Sequence, residues 1–75
     1  MEGTDFIVFV SEEDARLAIE ENYPGTKEIT PEGNEDLLFE HETDGHAGVR
    51  FHVWRYTHPK NPELWIVNAM TMVYE

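Results

Sequence analysis

Only one stretch of the chain, Ser11 to Tyr23, has helical spacing, and almost everything else that is apolar reads as strand. Ser11 is a good N-cap, and Glu12, Glu13 and Asp14 place negative charge at the positive end of a helix. At about 100° per residue, Ala15, Ala18, Ile19, Asn22 and Tyr23 share one face, and Arg16, Leu17, Glu20 and Glu21 face away. Pro24-Gly25 ends the helix, because Pro cannot continue the hydrogen-bond ladder and Gly accepts the positive φ of a C-terminal turn. A single helix of about three turns can cover only one side of any sheet the remaining residues build.

Those residues predict five strands. Phe6-Ile7-Val8-Phe9-Val10 is aromatic and β-branched without polar alternation, as in a strand covered on both faces or central in a sheet. Thr26 to Thr30 is short and polar and is closed by Pro31 and the Glu32-Gly33-Asn34 turn, which suits a sheet edge. Leu37–Thr43, Val49–Thr57 and Leu64–Tyr74 form a meander, separated by Asp44-Gly45 and by His58-Pro59-Lys60-Asn61-Pro62. The expected architecture is one α+β domain over residues 1–75 in the order β-α-β-β-β-β. Its single helix packs on one face of a four- to five-stranded, mainly antiparallel sheet.

The other face then holds the functional question. On the fourth strand Val49, Phe51 and Val53 point one way and read as core, while Arg50, His52, Trp54 and Tyr56 point the other. Aromatic rings mixed with Arg and His have the composition of an interface, and Trp65 on the last strand is grouped with them. Three outcomes are open: the sheet curls so that these rings close a second small core, the face self-associates into a homodimer, or it binds a partner.

Charge narrows the partner. The 75 residues include 16 acids and 5 bases, a net charge of -11. Residues 1–44 hold fourteen acids against Arg16 and Lys27, a net of -12, whereas residues 45–75 hold three bases and two acids, a net of +1. Such a field repels nucleic acid and anionic lipid, and steers the protein toward a basic surface such as a groove built for nucleic acid. Glu20, Glu21, Glu28, Glu32 and Asp36 are the acids expected to present this surface. Solubility is the competing explanation for them.

Chemistry is mostly excluded. There is no cysteine, hence no disulfide framework, thiolate site or thiol nucleophile. Glu40-His41-Glu42, Asp44-Gly45-His46 and His52 suggest a metal site, but no H-E-x-x-H or H-x-H spacing fixes two ligands on one face, so no metal is expected. No glycine-rich phosphate loop is present, Ser11 is occupied as a cap, and a chain this short leaves little room for a desolvated catalytic pocket, so neither a cofactor nor enzymatic activity is expected. The longest apolar run, Phe6 to Val10, is too short for a signal-peptide core or a membrane span, and the expectation is a cytoplasmic, untargeted protein.

In size, acidity and the Phe6–Val10, Ser11–Tyr23, Pro24-Gly25 layout, the whole chain resembles the small phage-encoded inhibitors of bacterial defence, the anti-CRISPR and anti-restriction proteins. Several of these pair one helix with an antiparallel sheet. The resemblance implies a non-catalytic inhibitor in the host cytoplasm that occupies a basic nucleic-acid-binding surface of a host complex, and no functional residue carries over from it. A second class remains open: an oligomer that sequesters a small ligand or nucleotide, stacking a base on His52, Trp54, Tyr56 and Trp65 and holding phosphate with Arg50 and Arg55.

Overall fold

In the computed structural model, which describes residues 5–43, 45 and 47–73, the helix begins at its expected cap. The Ser11 side chain accepts the Asp14 backbone N–H at 3.1 Å, and α1 runs Glu12–Asn22. It stops where Gly25 takes a φ of 87°, and the Gly25 N–H is met by the Glu20 carboxylate at 3.2 Å. Five strands surround it in sequence: β1 (Asp5–Phe9) before, then β2 (Lys27–Ile29), β3 (Leu37–Glu42), β4 (Ala47–His58) and β5 (Asn61–Val73). They form one antiparallel sheet in the order β1-β5-β4-β3-β2, so α1 carries the chain from one edge of the sheet to the other.

Alternation along β4 sorts the sheet into two faces. Phe51 and Val53 lie under the helix, paired across the ladder with Phe39 and Leu37 of β3 and with Ala69 and Val67 of β5. Ala15 and Ile19 of α1 complete this core with Trp65. Ala15 is 1% exposed, its small side chain allowing the helix to sit close to the sheet. Tyr23 closes the far end edge-on to Phe51 and His41, with ring centroids 5.0 and 5.4 Å apart. Arg16 does not face away as its helical position suggested. Its guanidinium lies over the Phe39 ring, 5.4 Å from the centroid, while bonding Glu12 at 2.7 Å and Glu28 at 2.8 Å.

The first strand departs from expectation. β1 is an edge strand, paired only with β5, and Phe6, Ile7 and Val8 are 66%, 53% and 55% exposed. An unbroken apolar run reads the same in a buried central strand and in an edge strand with one side open, because both lack polar alternation. β2 occupies the opposite edge, as its Lys27 and Glu28 and the following Pro31 suggested. No helix among the described residues is long and apolar enough to cross a membrane.

The core account predicts a contrast along α1. Ile19→Ala should cost about 2–5 kcal/mol in a urea unfolding experiment, as for other buried aliphatic truncations. Leu17→Ala, at a position 53% exposed, should stay within about 0.5 kcal/mol of the parent.

Candidate functional site

The face of the sheet away from α1 is not open along its whole width. Residues 30–36, between β2 and β3, fold across β4, and three consecutive outward side chains of that strand are each held by one of theirs. Arg50 Nη1 donates to Glu32 at 2.9 Å, His52 Nδ1 bonds Glu35 at 3.1 Å, and Trp54 Nε1 donates to Asn34 Oδ1 at 3.2 Å. Asp36 fixes the end of this strap by accepting the Arg55 backbone N–H at 2.6 Å and donating its own N–H to the Val53 carbonyl at 2.8 Å. Beneath it Leu38 is fully buried, in register with His52, which is in turn opposite the buried Asn68 of β5. The strap therefore makes a second, smaller buried layer out of polar side chains.

Its centre is Glu35, only 8% exposed. An ionised carboxylate can only accept, so the His52 Nδ1 must carry the proton in this contact. The Glu35 carboxyl is held below the usual carboxylate range, foremost by its own backbone N–H, against the opposing effect of burial, and further by His52 and the Gly33 N–H. A Cβ on Gly33 would lie 2.9 Å from Glu35 Oε1, so a larger residue there requires the carboxylate to move from its present place. His52 also stacks on Trp54, with centroids 5.9 Å apart and planes 17° from parallel.

The expected aromatic face is thus brought together in part. Arg50, His52 and Trp54 lie on one face as anticipated but under the strap, and Tyr56 remains 49% exposed beyond it. Trp65 is a correction. It lies on the opposite face, 6% exposed in the core under α1, because its register partners Phe9 and Arg55 belong to the helix-side rows. Both registers of β5 are apolar, so no alternation marked which one faced the helix. Asn34 and Glu35 went unrecognised as part of this face. In the sequence they are polar residues of a turn, 20 and 17 residues from the β4 side chains they meet, and no local pattern links them.

The five acids expected to form a partner surface are all exposed but do not line one face. Glu28 shares the helix side with Arg16, whereas Glu32 binds Arg50 on the strap side. Glu20 caps the end of α1, Asp36 anchors the strap, and Glu21 points to solvent. Burial works against the charge of Arg50, yet Glu32 and then Glu40 outweigh it, and its pKa is raised. The pKa of Arg16 is likewise raised, by Glu28 and then Glu12. Arg55 reaches Glu63 at 3.3 Å, so every arginine of the chain is paired with a carboxylate inside the fold.

Alternation also separates the histidine cluster considered for metal. Glu40 bonds Arg50 on the strap side, whereas His41 turns to Tyr23 and Thr26 on the helix side, its Nδ1 3.4 Å from the Thr26 hydroxyl. Asp44 and His46 lie outside the described residues, among which no three of His, Asp and Glu gather around a point where a metal ion would sit. No protein-family model, curated protein or solved structure matches the chain.

The strap generates an acid-side prediction. Because the Glu35 carboxyl is lowered in the fold, its contribution to stability is full above the unfolded carboxylate value of about 4.3 and is lost as pH falls through the folded value. Glu35→Gln should lower stability at neutral pH and flatten the acid limb of a stability-pH curve. Gly33→Ala should push Glu35 off His52, seen at neutral pH as a shift of the Trp54 indole N–H resonance; an unmoved resonance would show the strap to be unpinned already.

Proposed function

We propose that the protein is a non-catalytic, protein-binding inhibitor that occupies a basic, nucleic-acid-holding surface of a host complex, in the manner of phage-encoded anti-CRISPR and anti-restriction proteins. The observation that carries this reading is the internal pairing of the cations. With Arg16, Arg50 and Arg55 each engaged by carboxylates, little positive charge remains to displace counterions from a phosphate backbone, while Glu13, Glu21 and Glu42 stand outward. A surface of this kind attracts Lys- and Arg-rich partners at long range and repels nucleic acid. A catalytic role has less support, since the cleft between α1 and the sheet is lined by Phe9, Ala18, Asn22 and Tyr23 with no acid-base pair, and His52 is committed to Glu35.

The nucleotide-sequestering alternative needs Arg50, Arg55 and Trp65 to act with His52, Trp54 and Tyr56. Arg55 and Trp65 stand in register with each other on the helix side, which leaves that reading the weaker of the two.

Association with DNA- and RNA-binding effector complexes, followed by co-elution from low to high salt, tests the proposal. Binding should fall steeply as salt screens the field. Neutralising Glu20, Glu21, Glu28, Glu32 and Asp36 together should slow association at least about tenfold and flatten the salt slope. Four of these five also make internal contacts, so the melting temperature is read in parallel. A second variant, Glu13→Gln/Glu21→Gln/Glu42→Gln, removes charge without touching those contacts. Unchanged on-rate and salt slope in both variants would reduce the acids to a solubility device.

A further inference from the structure

The two edges of the sheet are finished differently. β2 is three residues long, carries Lys27 and Glu28, and runs on toward Pro31, all features that discourage another strand from adding to it. β1 is longer, and after Asp5 at its start it carries none of them. From Phe6 to Val10 it has no charge, proline or glycine, and its pairing with β5 runs through five consecutive residues without a bulge. In an antiparallel ladder with one neighbour, the backbone groups of the outer side have no strand to meet, and here they are flanked by exposed apolar side chains on both faces. Phe6 and Val8 project on the strap side and Ile7 on the helix side, with Val10 just beyond, 68% exposed. Beside Ile7 lies a cleft of about 370 Å³ between α1 and the sheet, lined also by Phe9, Ala18, Asn22 and Tyr23.

We infer that β1 is a docking edge that accepts an extended segment of the partner as a sixth strand, a segment with alternating apolar residues and Lys or Arg at its ends. This deepens the proposed function and rests on it for the sign of the partner's charge. The choice of occupant follows from what brackets the strand. Its apolar run follows Asp5 and leads straight into Glu12, Glu13 and Asp14, the acidic first turn of α1. A second copy pairing antiparallel would bring the start of one β1 toward the acidic first turn of the other copy's α1, in two chains that each carry a net charge of -11. A strand with basic ends meets the same brackets with attraction. Main-chain hydrogen bonds supply the affinity, one side chain settles over Ile7 toward the cleft, and alternate ones cover Phe6 and Val8.

The test uses the intact chain and a synthetic nonapeptide, Lys-Lys-Val-Thr-Ile-Thr-Val-Lys-Arg, with two controls. One has glutamate in place of every Lys and Arg. The other is methylated at alternate backbone nitrogens on the pairing edge, which removes donors without altering charge. Titration is followed by amide resonances and by hydrogen exchange. The expected result is new amide protection and shifts confined to residues 5–9 and their β5 partners, with binding at least about tenfold weaker for each control. Val8→Lys, which guards the edge at an exposed position, should abolish binding of the basic peptide and the changes it causes, while the peptide-free spectrum still shows the β1–β5 ladder formed. Equal binding by the methylated peptide, or shifts centred on Trp54 and Tyr56, would overturn the inference. So would a dimer in sedimentation without peptide, with β1 already protected, since the edge would then belong to a second copy. If peptide pairs at β1 while no basic complex co-elutes, the edge stands and the proposed inhibitory role falls. If complexes co-elute equally with Val8→Lys and the peptide does not bind, the reverse holds.

Discussion

A five-stranded sheet has two faces of similar area, and a helix of eleven residues can dry only part of one of them. The chain meets this shortfall with a strap where another fold would use a second helix. Residues 30–36 bring few apolar atoms to the far face, so what holds them is the match between three outward side chains of β4 and three acceptors of the strap. The charged ends of that match are favourable only as a set. Glu35 is nearly buried, and without His52 and the surrounding N–H groups it would be an unpaired carboxylate in a low-dielectric layer.

The same economy explains how so acidic a chain stays folded. Two of the three arginines each meet two carboxylates from different segments: Arg16 bridges the start of α1 to β2, and Arg50 bridges the strap to β3. Exposed pairs of this kind are individually weak and screened by salt. Their effect here is geometric as much as energetic, since they tie segments that lack apolar reasons to meet. The negative field that remains outward is what is left once these ties are made.

How much of this was legible in the sequence follows from how local each signal is. The helix was readable to within a residue, because Ser11, the acidic first turn and Pro24-Gly25 act on backbone groups one turn away. The element order and the division of β4 into core and outward residues were readable too, since alternation needs only the strand itself. The strap was not. Glu35 and Asn34 find partners 17 and 20 residues further on, and in the sequence they are only polar residues in a turn. The edge position of β1 and the inward side of Trp65 were hidden for a different reason: where both registers or both faces are apolar, the pattern carries no orientation.

The route of the chain has a consequence for how the protein is made. β1 is translated before every other element, yet Ile7 pairs with Val67, sixty positions further along the sequence. Until β5 is available the most apolar segment of the chain has no ladder to join, whereas β3, β4 and β5 can close as neighbouring hairpins with little loop entropy to overcome. The pairings that need least loop closure thus lie in the C-terminal half of the chain, while β1, synthesised first, has its ladder partner only once β5 exists. An apolar strand without its ladder is an aggregation hazard, and charges close to such a strand in sequence, here Asp5 and Glu12 to Asp14, are the usual guard against it.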